Sequence, residues 1–119
     1  MVESSAQKLT DLIYFVSVGR VRDQTILATS KTSNRISSDK DQDVRDHCMT
    51  LLCRQNQAVS GSRQKTEHLG FSWHIYQDKN MISYIIVSHQ NLPDEYATNF
   101  LRQLSSILYE RHADFRQNP

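Results

Sequence analysis

Phe71-Ser-Trp-His-Ile-Tyr-Gln-Asp78, followed after Lys79 and Asn80 by Met81-Ile-Ser-Tyr-Ile-Ile-Val-Ser-His89, decides the reading of this chain. Both runs are rich in β-branched and aromatic residues, and the polar Asp78-Lys79-Asn80 between them is a turn, so the stretch predicts a hairpin. Phe71, Trp73 and Ile75 alternate along the first strand, which makes them one apolar sheet face. His74 and Tyr76 then point to the opposite face and need hydrogen-bond partners if a helix covers them. Strand aromatics that stack nucleic-acid bases need basic neighbours, and Glu67, Gln77 and Asp78 are the neighbours here.

Downstream, residues 93–112 read as one amphipathic helix. Pro93 suits its first turn, Asp94 and Glu95 complement the positive end of the helix dipole, and Arg111 and His112 the negative end. Its apolar stripe is Ala97, Phe100, Leu101, Leu104, Ile107 and Leu108. At about 1.5 Å per residue the helix spans about 30 Å, enough to cross a small sheet. The Trp73 and Phe100 neighbourhoods are expected to meet in one shared apolar interior.

Upstream, Leu12 to Val21 is apolar and β-branched on adjacent positions, the pattern of a central strand buried on both faces. Thr25 to Ser30 is a second strand, antiparallel through a short turn. Residues 31–38 read as a loop, and Ser38 with Asp41 forms a weak capping box. The helix that follows, over residues 39–56, places Val44, Cys48, Leu51 and Leu52 on one stripe. Residues 58–65 are the most loop-like stretch, Thr66 to Leu69 a short strand, and Gly70 a bend before Phe71. The sum is an α+β domain in the order strand, strand, helix, two or three strands, helix, with a mainly antiparallel sheet whose faces the two helices cover.

The totals narrow the possibilities. The 119 residues fit one domain, and 14 basic against 13 acidic residues leave no net field that favours nucleic acid or an anionic membrane. No apolar run approaches the roughly 18 residues of a membrane span, and the opening residues lack the apolar stretch of a secretory signal. Cys48 and Cys53 project about 140° apart on one helix, so the expectation is two reduced thiols in a cytoplasmic protein.

Chemistry-bearing constellations are sparse. Gly19, Gly61 and Gly70 cannot build a phosphate loop, and Gly19 beside Arg20 fits close packing or a bulge near a strand end. His47, Cys48, Cys53, His68 and His74 lack the spacings of a zinc site, so no metal and no cofactor is expected. Cys48 lies on the core stripe as a small hydrophobe, and nothing near Cys53 in sequence activates it. No catalytic residue is assigned, and the chain is read as no enzyme. Met49 and Cys53, at i and i+4 and rotated off the main stripe, form a second apolar strip that is either an extension of the core or a docking patch.

The ordered set of elements resembles the longin domain, the N-terminal regulatory domain of longin-type R-SNAREs. The matching residues are Gly70-Phe-Ser-Trp-His-Ile75, Ile82-Ser-Tyr-Ile-Ile-Val87, Tyr96-Ala-Thr-Asn-Phe-Leu-Arg-Gln-Leu104, Val18-Gly-Arg-Val-Arg-Asp23 and Thr25-Ile-Leu-Ala28. The resemblance covers residues 12–112. It leaves residues 1–11 as a flexible lead and 113–119 as a tail where the family carries a third helix, and no SNARE heptad region or lipidation cysteine is seen. What it implies is a profilin-like fold, a five-stranded antiparallel sheet sandwiched by helices in the order β-β-α-β-β-β-α, without catalysis, that controls SNARE assembly and sorting at the cytosolic face of endomembranes. Implied partners are a SNARE-motif helix, an adaptor or coat protein, or a tethering factor, with the domain itself a monomer or weak dimer. The implied groove lies between the first helix and the following strand, where Met49, Cys53, Thr66 and Leu69 would line it. A subunit of a tethering or adaptor complex sharing the architecture is the alternative.

Overall fold

The computed structural model describes residues 11–31, 36–54 and 63–111, with side chains described as far as Ile107. The elements follow the order β-β-α-β-β-β-α: β1 (Ile13–Arg20), β2 (Thr25–Lys31), α1 (Ser38–Arg54), β3 (Arg63–His68), β4 (Phe71–Gln77), β5 (Ile82–Ser88) and α2 (Asp94–Arg111). The strands form one antiparallel sheet in the order β2-β1-β5-β4-β3. β1 and β5 lie inside it, and every residue of β5 is buried. That is why their apolar residues run on without alternation.

Each face carries its own core. On one, Phe15, Phe71, Trp73, Ile75, Ile85 and Val87 pack with Val44, Cys48 and Leu51 of α1. On the other, Val18, Ile82, Tyr84 and Ile86 pack with Ala97 and Leu101 of α2, and the half-buried Phe100 and Leu104 lie against them. The expected single interior joining Trp73 to Phe100 is therefore wrong. The sheet runs between them, because alternate residues of a strand face opposite ways. Ile107, read as part of the α2 stripe, is half exposed. Ser105, two residues earlier and about 200° round the helix, is the residue that reaches Asp78 beside the end of β4. Leu108 and His112 lie outside the described side chains.

Two glycines do what their positions suggested. The pairing of β1 with β2 slips between Val18 and Gly19, and a Cβ at Gly19 would come within 2.8 Å of a Leu52 methyl. The missing side chain lets α1 settle onto β1. Leu69 (φ 58°) and Gly70 (φ 82°) form a two-residue turn of the kind that matches strand twist. Leu69 thus belongs to the turn rather than to a strand, and its side chain packs against the α1-side core.

Other boundaries move for physical reasons. Arg63, Gln64 and Lys65, read as loop, pair with Tyr76, Ile75 and His74 as the start of β3. β3 is an edge strand exposed at all of its residues, so its sequence, Arg-Gln-Lys-Thr-Glu-His, shows no alternation. Residues 1–10 of the expected lead, 32–35 of the expected loop, 55–62 and the whole expected tail, 113–119, lie outside the described residues. Helix α1 is entered through Ser37, whose carbonyl accepts from the Lys40 N–H at 3.0 Å. Asp41 does not close a box with Ser38. It turns sideways to Arg45 (2.9 Å) and Lys31 (3.5 Å).

Candidate docking surfaces

The two flanks of α1 meet different strands. On one, the His47 ring stacks on His68 of β3 with centroids 4.0 Å apart, and meets the Trp73 ring edge-on at 4.7 Å. The Trp73 indole N–H donates to the His68 carbonyl at 2.9 Å. Burial and the neighbouring His68 and Arg54 charges hold the His47 imidazole below its ordinary value. This stack bridges α1 and β3 beside Trp73.

The other flank faces β2. Arg45 bonds Asp41, donates to the Thr29 hydroxyl at 3.4 Å, and lies 5.2 Å over the Phe15 ring. Beneath it is a cavity of about 190 Å³ lined by Phe15, Ser17, Ile26, Thr29, Arg45 and Cys48. Burial pushes the Cys48 thiol up to about 12, and the Ser17 hydroxyl beside it opposes this only in part. A thiol with that proton affinity is a packing group rather than a nucleophile.

These flanks separate the sequence-predicted groove residues. His47 and Met49 project about 200° apart on a helix, whereas Met49 follows Arg45 by one turn. Met49 is therefore on the β2 flank, 39% exposed. Cys53 is exposed and lies on the outer side of α1, roughly opposite Val44. Thr66 stands exposed on β3 opposite Trp73, and Leu69 is half-buried in the β3–β4 turn. The structure groups Thr66 and Leu69 with His47 and His68, and turns Met49 and Cys53 away. Helical periodicity marks a stripe but carries no sign of which flank meets which strand.

The sheet edges are unlike each other. β3 presents Arg63, Lys65, Glu67 and His68, and Lys65 is tied to Asp94 at the start of α2 (2.9 Å), which holds the Asp94 carboxyl below its usual range. Charge of this kind blocks strand addition. β2, Thr-Ile-Leu-Ala-Thr-Ser-Lys, carries one charge in its seven residues and is largely exposed. Among the described residues, no strand pairs with its outer side. On the α2 side a second cavity, about 160 Å³, lies between Val16, Val18, Ala28, Ser30 and Leu104. β2 thus has an open backbone edge with an apolar recess on each face. The sequence hid this, because the position of a strand in its sheet is a tertiary property.

No protein-family model matches the chain, and no curated protein matches it. Among the described residues, no helix is long and apolar enough to cross a membrane, and no group of His, Cys, Asp and Glu is placed to hold a metal ion.

Proposed function

We propose that the chain is a non-enzymatic interaction domain of longin-like, profilin-like architecture. It works in vesicle trafficking at the cytosolic face of endomembranes and takes an extended segment of a trafficking partner as an added strand on β2. The observation that carries this reading is the contrast of edges: β3 is guarded by charge, while β2 is open between two apolar recesses. An added strand gains backbone hydrogen bonds, and its alternate side chains fall into the two recesses in turn. The element order supports the longin likeness, and the inert Cys48 thiol supports the absence of catalysis.

The test is a set of extended peptides selected for binding to the intact chain. Ala28→Lys and Ser30→Lys place charge on the exposed edge and should weaken binding while the melting temperature stays put. Unchanged binding by both variants would remove β2 as the site. A second reading is favoured by the exposed Ile107 beyond the Leu104 recess: a neighbouring subunit of an adaptor or tethering complex covers that face. A melting temperature that rises with concentration would support it, and a strictly concentration-independent one would not.

A further inference from the structure

Strand β2 does not alternate along its whole length. Ala28 pairs with Val18 and Ile26 with Gly19, so Leu27 is the extra residue of a bulge. Thr29 lies on the α1 side, where Arg45 donates to its hydroxyl at 3.4 Å. Alternation would put Leu27 there as well, but Leu27 packs with the α2-side core. The bulge therefore leaves a place on the α1 side of β2 without a side chain, between Ile26 and Thr29. The cavity of about 190 Å³ lined by Phe15, Ser17, Ile26, Thr29, Arg45 and Cys48 lies at that place.

Its walls are apolar and its floor is polar. Phe15 and Ile26 form the walls, and the Ser17 hydroxyl lies on β1, one strand in from the edge. Ser17 is 1% exposed, and among the described residues its Oγ has no hydrogen-bond partner. The Cys48 thiol beside it stays protonated and is a weak partner. A buried hydroxyl without a partner is costly, so an occupant that supplies one is favoured over an occupant that does not. Arg45 borders the mouth, held by Asp41 and Thr29 and lying over Phe15, so its charge is already engaged.

Reach decides which side chain fits. β1 lies two strand spacings, about 10 Å, from a strand added outside β2. Ser, Thr, Asn and Gln are too short to cross that distance to the Ser17 hydroxyl. Leu, Met and Phe would cover the walls and leave Ser17 unmet, and Lys or Arg would face the Arg45 charge. A Glu carboxylate would lose its water beside a guanidinium that Asp41 already holds. Tyrosine has the length, a ring for Phe15 and Ile26, and a terminal hydroxyl that both gives and accepts a hydrogen bond. We infer that the α1-side recess is a tyrosine pocket: the strand added to β2 inserts one Tyr between Ile26 and Thr29, and its hydroxyl bonds Ser17 Oγ. This rests on strand addition at β2 and names the side chain that gives it specificity.

The test titrates the full chain with extended Val/Thr-rich peptides carrying one Tyr, its position scanned along the peptide, and with their Phe counterparts. Amide hydrogen exchange over residues 25–31 is read in parallel. In the best register the Tyr peptide should bind about tenfold more tightly than its Phe counterpart. Ser17→Ala should abolish that preference and leave the Phe peptide's affinity unchanged. Because it removes a buried hydroxyl without a partner, its melting temperature should hold or rise. If Ser17→Ala does not fold, the ratio of Tyr to Phe affinity on the unaltered chain carries the test. Protection of 25–31 with equal Tyr and Phe affinities, or a Tyr preference that survives in the folded variant, overturns the tyrosine pocket and leaves strand addition standing. No protection of 25–31 by any peptide overturns strand addition, and the tyrosine pocket with it.

Discussion

Asp78 holds more of this fold than any other single polar side chain described. One oxygen closes the β4–β5 turn and the other takes the Tyr84 hydroxyl and the Ser105 hydroxyl, so one carboxylate joins β4, β5 and α2. Burial pushes the Tyr84 hydroxyl above its ordinary range, which favours the protonated form that donates to Asp78. Asp78→Ala would leave these buried donors unmet and should cost about 2–3 kcal/mol, read as a lower denaturant midpoint. Asp78→Asn should cost less. In the sequence Asp78 reads only as a turn residue, because its partner Ser105 lies in a distant helix. Gly19 and Gly70 are legible at this scale, since a missing side chain has few uses.

His74 is the second residue to single out. It is fully buried on the α2 face, and neither ring nitrogen has a hydrogen-bond partner among the described residues. The sequence implied that such a partner would be needed, and the protein instead keeps the ring neutral. Burial first, then the Lys65 charge, pulls its pKa from 6.5 to about 4. The folded state then binds this proton less readily than the unfolded chain does. Stability is therefore complete above the unfolded value and is lost as pH falls from 6.5 toward about 4, by up to about 3 kcal/mol. His47, lowered in the same direction, adds to the slope. The lowered carboxylates Asp41 and Asp94 act in a lower window, losing their contribution as pH falls below the ordinary carboxylate value of 3.8. His74→Leu should flatten the dependence of melting temperature on pH between these limits. A slope unchanged in that variant would contradict the assignment.

At the scale of elements, the apolar stripe of α1 was readable because Val44, Cys48, Leu51 and Leu52 repeat with the helix and are all buried. The flank assignment was not, because it depends on His47 finding His68 and Arg45 finding Thr29 across the chain. Met49 is the useful probe of that difference. It is exposed on the β2 flank, so Met49→Glu should change stability by no more than about 0.5 kcal/mol in denaturant unfolding. A loss of several times that would make Met49 part of the core. β3 was the least legible strand, since an exposed edge paired on one side needs no apolar residues.

The whole molecule is a sheet with a helix-lined core on each face, a charged edge at β3 and an open edge at β2. The class and the element order followed from the two hairpins and two amphipathic helices. The strand order did not, since placing β1 beside β5 brings together segments from opposite halves of the chain. That pairing also leaves β2 outermost and sets its turn beside the β4–β5 turn. The open β2 edge is therefore a product of topology rather than of local sequence.

The most direct measurement is backbone amide hydrogen exchange with and without a bound partner peptide. Strand addition predicts new protection within residues 25–31, with 63–68 unchanged. Protection confined to His47, Thr66 and Leu69, with β2 exchanging as before, would place the partner between α1 and β3 and contradict this account.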